Sequence, residues 1–201
     1  DADAFFALYQ SLVGTPFCAW DATYPAPEHV HDDIAAGALY TLRRGAELIA
    51  AGTIRRCPEH DEIPCWTPMR NPCDLMRIGV ALPRQGHGTG RLFLTHLLVE
   101  AARRDYDCMR ILVAKTNLPA ISLYRRIGAD FRGEAFSYGI IGSALKFPAG
   151  NDQLKSVYFA AFSASFPLIP ISAKEGMRNC GWHCRIIFPE KGPLHGMRRS
   201  D

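Results

Sequence analysis

The stretch "RQGHGTGRLFLTHLLVEAARR", residues 84–104, constrains the fold more than any other part of the chain. Gly86, Gly88 and Gly90 let the main chain turn tightly, and a helical segment with Leu92, Phe93, Leu97, Leu98 and Ala101 on its inner face follows at once. An apolar strand, "DLMRIGVAL", precedes the glycines. A strand that turns through glycines into a helix leaves the first-turn amides without partners, and such amides attract an anion. Spacing then excludes two phosphate loops. The dinucleotide pattern G-x-G-x-x-G needs glycine where this chain has Arg91, and the P-loop needs a Gly-Lys-Ser/Thr ending that is absent. What fits is Q-x-x-G-x-G, the run Gln85, Gly86, His87, Gly88, Thr89 and Gly90, which suits an adenosine pyrophosphate.

Around this loop the chain alternates helices and strands. "DAFFALYQSLV" carries a helical apolar stripe ended by Gly14 and Pro16; "TPFCAWDATYPAP" is irregular; "PEHVHDDIAAG" restores a helical pattern. "ALYTLRR" and "ELIAAGTIRRC" flank the turn at Gly45 as a hairpin. Beyond the long helix come a strand, "MRILVAKT", a short helix, "LPAISLYRRIG", and a strand, "ADFRGEAFSYG". The order predicts a mixed α/β domain with helices packed on a sheet, spanning residues 1–139. Residues 140–201 hold proline and glycine throughout and no sustained period, and read as an irregular tail: a recent extension or the product of a reading-frame change. "IIGSALKF" within it is at most an imperfect last strand.

Bulk properties exclude several partners. The chain has 201 residues, and its 23 basic and 20 acidic side chains leave a formal charge of +3, too small a field to suggest nucleic acid or membrane. The longest apolar run, residues 157–171, is too short to span a bilayer and contains Ser163, Ser165, Pro167 and Pro170. Nothing near the start has the basic-then-apolar pattern of a signal peptide, so the expected location is cytoplasmic, where the seven cysteines would stay reduced. Cys57, Cys65 and Cys73 form a loose triplet, and Cys180, His183 and Cys184 a crowded cluster; neither offers the paired spacing of a zinc site, and no metal is expected.

A second motif lies downstream. Asn117 follows the strand "MRILVAKT", Ala120, Leu123 and Tyr124 come next, and Gly128 and Phe131 close the segment. With the glycine loop ahead of it, this order resembles the GNAT family, the GCN5-related N-acetyltransferases, from about Phe5 to Tyr138. That resemblance implies the acyl-CoA N-acyltransferase fold, a mixed, mostly antiparallel sheet flanked by helices. It also implies acetyl-CoA as donor and a small-molecule or peptide amine as acceptor, in a monomer or homodimer. Val80 and Leu82 would run along the pantetheine arm, residues 85–91 including Arg91 would seat the pyrophosphate, and Asn117 would contact the coenzyme.

In such a reaction the amine attacks the thioester directly, and the leaving thiolate needs a proton. Tyr124, a phenol of ordinary pKa about 10, is the candidate general acid. The amine must lose a proton before it attacks. His60, Glu62 and Asp74 are the groups available for this, although "CPEHDEIPCWTPMRNPCD" equally reads as a solvated loop. Trp20, Asp21, Tyr24 and Trp66 fall where the acceptor site is expected, or else cover the core. The rival reading is a GNAT-like CoA-binding sensor or scaffold module without turnover.

Overall fold

The computed structural model describes residues 2–137, 139–148 and 182–186. Two helices, α1 (Ala2–Gln10) and α2 (Pro27–Ala35), precede a hairpin of β1 (Leu39–Arg44) and β2 (Glu47–Arg55). Then come β3 (Pro72–Val80), α3 (Thr89–Arg103), β4 (Cys108–Ala114), α4 (Leu118–Arg126), β5 (Asp130–Ser137), β6 (Ile140–Pro148) and β7 (Trp182–Ile186). They build one sheet in the order β5-β6-β4-β3-β2-β1-β7. Every strand pair is antiparallel except β3 with β4. The expected mixed sheet with flanking helices is therefore present. Among the described residues no helix is long and apolar enough to cross a membrane.

The helices sit where the sequence pattern demands. Phe5, Leu8 and Tyr9 form the buried stripe of α1, and Phe93, Leu94, Leu97, Leu98 and Ala101 that of α3. Two apolar clusters result, one holding residues of α3 and α4, the other those of α1 and α2. Neighbours along one strand divide between them: Leu39 from Tyr40, and Ala51 from Ala50. Successive strand residues face opposite ways, so the clusters lie on opposite sides of the sheet.

The domain does not end at Gly139. β6 pairs with β4 from Cys108↔Pro148 to Ala114↔Gly142 and with β5 on its other side. Ala144, Leu145 and Phe147 are buried at its centre. A strand flanked on both sides and covered on both faces shows no polar alternation, which is why "IIGSALKF" reads poorly as a strand from sequence. Gly142 fits because a Cβ there would lie 2.8 Å from Leu112 Cδ1. At the opposite edge β7 runs antiparallel to β1, from Tyr40↔Ile186 to Arg44↔Trp182. Residues 149–181 and 187–201, on which the extension or frame-change reading rests, lie outside the described residues, as does Cys180.

The parallel pair is short and pinned. β3 and β4 pair only at Pro72↔Cys108, Cys73↔Met109 and Asp74↔Arg110. There the fully buried Asp74 carboxylate accepts from Arg110 Nε at 2.9 Å, Arg110 Nη2 at 2.7 Å and the Cys57 amide at 2.8 Å. His60 Nδ1 lies 2.9 Å from Oδ1, the oxygen that also accepts from Arg110 Nε, and Arg110 Nη1 donates to Asp61 at 2.7 Å. Removing one partner of such a pair strands a charge in the interior. Arg110→Met should therefore lower unfolding free energy by about 3–5 kcal/mol in urea denaturation. A loss under about 1 kcal/mol would show that the pair does not hold the strands.

Candidate active site

Beyond Asp74 and Arg110 the two parallel strands part. β3 continues to Val80 beside β2, and β4 continues to Ala114 beside β6, with no pairing between them. The end of that pairing leaves a cleft between the two strands that runs toward their carboxyl ends. At its mouth lie the glycine loop, which follows β3, and Asn117, which follows β4.

The loop is built to present amides. β3 stops at Val80, the Ala81 amide bonds back to Ile49 of β2 at 2.8 Å, and a 3-10 turn covers Leu82–Arg84. Leu82 is thus outside the strand and 45% exposed, which corrects the expectation that the extended run reaches it; Pro83 ends the extended run there. Gln85 Nε2 donates to the Val80 carbonyl at 2.9 Å, and Arg84 grips Glu47 at 2.7 Å, so the start of the loop is fastened to the sheet. Gly86 and Gly88 take φ values of 76° and 79°, in the left-handed region. Among the described residues, the amides of Gly86, His87, Gly88, Thr89, Gly90 and Arg91 donate to no protein acceptor. They converge on the N-terminus of the 15-residue helix α3, with the exposed side chains of His87 and Arg91 beside them. Amides aligned on a helix dipole form an anion seat.

α4 borders the same mouth. A Cβ on Gly90 would lie 3.4 Å from Leu123 Cδ2, so the start of α3 touches α4. Asn117 caps α4, its Oδ1 accepting from the Ala120 amide at 3.2 Å. About two turns on, Tyr124 packs its ring edge against Phe147 at 6.1 Å within the apolar cluster that Val80 also touches. Burial pushes its phenol well above the usual tyrosine range, so the proton stays on at any physiological pH.

A bulge in β3 shapes the opposite face. Ala51 pairs with Gly79 and Thr53 with Met76, so Arg77 and Ile78 together oppose Gly52. Cys73 and Leu75 belong to the apolar cluster under α3, and Ile78 and Val80 pack against that same cluster. Without the extra residue, alternation would drive Arg77 into that cluster; the bulge turns it toward α2 instead. Arg77 takes φ 47°, a conformation costing a non-glycine residue about 1–2 kcal/mol. The compensation is a bidentate pair with the buried Asp33, at 2.8 Å from Nε and 2.6 Å from Nη2. Arg77 Nη1 donates to the Tyr24 hydroxyl at 3.3 Å. Tyr24 meets Trp20 edge to face at 6.5 Å and His29 at 5.1 Å, and Trp20 meets Tyr9 at 5.3 Å. Asp21 closes the turn beneath them by accepting from the Thr23 and Tyr24 amides at 2.7 and 3.1 Å.

The family model of the GNAT acetyltransferases matches residues 5–129. The chain belongs to that family. A search of curated proteins returns no match. Among solved structures, the ribosomal-protein-S18-alanine N-acetyltransferase of Escherichia coli is similar at TM-score 0.57 and 18% identity, over 74% of this chain and 88% of that one. A GNAT acetyltransferase of Streptococcus agalactiae gives 0.61 and 16%, over 73% and 89%. The ribosomal-protein-alanine N-acetyltransferase of Brucella melitensis gives 0.57 and 20%, over 74% and 94%. At these identities the likeness is one of fold.

Seen in this GNAT fold, the sequence candidates separate. Val80 ends β3 just ahead of the loop of residues 85–91, Asn117 caps α4 just past the end of β4, and Tyr124 lies buried behind them in the apolar cluster. Asp74 and His60 stand apart: they belong to the buried pin at the paired end of the two strands, where both oxygens of the carboxylate are already engaged. Glu62 is exposed next to that pin. Trp66 also lies there, its ring 5.9 Å from the Arg110 guanidinium, and so parts company with Trp20 and Tyr24. Among the described residues no cluster suited to a metal ion occurs, and the Cys57 thiol donates to Glu59 Oε2 at 2.8 Å. Sequence reasoning passed over Arg77 and Asp33. The available signal was a charged residue inside an otherwise apolar strand, "DLMRIGVAL".

Two outcomes follow from this geometry. Gly88→Ala meets no atom within 4 Å, so its cost is backbone strain alone, about 1–2 kcal/mol in urea denaturation. An unchanged midpoint would mean the loop relaxes out of the left-handed region. The second concerns alkaline pH. Burial raises the phenols of both Tyr9 and Tyr124, so the folded state holds protons that the unfolded chain releases above about pH 10. Their contribution is complete below that pH and lost as pH rises through it toward the folded values. The urea midpoint should fall between about pH 9 and 11, and fall less in Tyr9→Phe. Equal slopes in the two proteins would refute this.

Proposed function

We propose that this GNAT domain transfers the acetyl group of acetyl-CoA to a primary amine by direct attack within a ternary complex. The observation that carries the reading is the convergence at one cleft mouth of six consecutive unpaired amides, residues 86–91, with the parted strands β3 and β4. When bound, acetyl-CoA supplies the thioester that the amine attacks.

The chain's own residues have separable tasks. The amides of residues 86–91 and the side chains of His87 and Arg91 hold the pyrophosphate, while the Gln85 side chain keeps the loop closed on Val80. The free edge of β3 as far as Val80 lies along the pantetheine arm, where main-chain donors suit its amides. Asn117 fixes the start of α4 through its oxygen and keeps its carboxamide nitrogen for the coenzyme. Tyr124, held protonated by its apolar surroundings, gives its proton to the departing sulfur, and the proton that the acetylated amine gives up, carried by water, restores the phenol. Rate gain comes chiefly from holding thioester and amine together.

Thiol release from acetyl-CoA tests the reading, with spermidine, kanamycin, simple alkylamines and an alanine-initiated hexapeptide as acceptors. Turnover should occur with at least one amine class. Tyr124→Phe should lower kcat about 10²–10⁴-fold with CoA affinity unchanged. Equal turnover in that variant would remove the acid assignment. CoA binding without turnover on any amine would leave the sensor or scaffold module as the better description.

A further inference from the structure

Arg77 is the one strongly charged group that the β3 bulge delivers to the α1–α2 side of the cleft. Arg77 as a whole is 7% exposed, and its guanidinium spends two donors on Asp33, which is wholly buried and also accepts from Thr53 Oγ1 at 2.5 Å. That pairing fixes the planar fork in one orientation. The remaining nitrogen, Nη1, reaches Tyr24. Tyr24 is half-buried and belongs to the segment between α1 and α2, whose other anchors lie within it or run to those two helices: the Gln10 Nε2 bond to the Pro25 carbonyl at 3.3 Å, the Asp21 turn and edge-to-face contacts among Tyr9, Trp20, Tyr24 and His29. The Arg77 to Tyr24 bond therefore ties a loop to the sheet at the point where β3 has left β4 and the cleft has begun.

Resting on the transferase reading above, we propose that Arg77 is a positioning residue for the amine acceptor, acting through Tyr24. Asp33 locks Arg77; Arg77 locks the Tyr24 phenol; the phenol carries the ring wall of Trp20 and Tyr24 along one side of the cleft. The coenzyme seat at residues 86–91 lies across the sheet's edge on the α3 side and shares none of these bonds. Breaking the link loosens acceptor binding and leaves coenzyme binding as it was.

Steady-state kinetics with each amine that the wild-type protein acetylates provide the test, alongside CoA titration by calorimetry. Tyr24→Phe deletes only the hydroxyl at a half-buried site. It should raise the KM for the amine about fivefold to tenfold, the worth of one ordinary hydrogen bond as suits a 3.3 Å contact, while CoA affinity stays within about twofold. Arg77→Lys keeps a charge on Asp33 but loses the fork, and should move KM in the same direction and further. If Arg77→Lys does not fold, Tyr24→Phe alone decides. A variant that merely lost folded protein would show lower kcat at unchanged KM, and that result overturns the inference. Unchanged KM and kcat overturn it too. Wild-type protein that binds CoA and acetylates no amine removes the transferase reading and this inference with it, whereas turnover with an unaltered KM in Tyr24→Phe removes this inference alone.

Discussion

Asp74 and Arg110 meet where β3 and β4 run side by side, and the rest of the molecule is arranged around that contact. Left to itself a parallel pair would zip along its whole length and leave no room for a substrate. Here two bulky charged groups are sealed in at the base, satisfied by each other, by the Cys57 amide, by His60 and by Asp61. The pin holds the strands together at one end, while different neighbours, β2 on one side and β6 on the other, draw them apart at the other end. A buried ion pair of this kind adds little stability relative to an apolar replacement, but it specifies register.

Much of this was legible in the sequence because it depended on local pattern. Glycines ahead of an apolar helical stripe marked the loop, Pro119 and Asn117 marked the start of α4, and the periodicity of residues 92–101 marked the inner face of α3. The family resemblance rested on those same positions, and the family match over residues 5–129 agrees with it. Tyr124 was readable as a position, though its full burial depends on Phe147, which lies in a strand the pattern did not reveal.

What stayed hidden was set by partners far along the chain. β6 looked irregular because a central strand carries no polar face. Arg77 drew no attention in the strand pattern; only pairing with β2 introduces the extra residue that turns it, and only α2 brings Asp33 to receive it. Asp74 and His60 carried the side chains of a base, and their use as a pin became visible once Arg110, from a strand much later in the chain, was seen to occupy both carboxylate oxygens. A one-dimensional pattern reports which residues share a face, and it cannot report which face will be handed a charge from elsewhere.

The parted strands have a thermodynamic meaning of their own. Among the described residues, from Leu75 onward the edge of β3 toward β4 lacks the neighbouring strand that the interior of a sheet ordinarily supplies. A molecule that settles along that edge stands in for the missing strand and joins the β3-β2-β1 half of the sheet to the β4-β6-β5 half. Folding and ligand binding are then linked equilibria, with the empty protein softest along its own midline and stiffening there as the cleft fills.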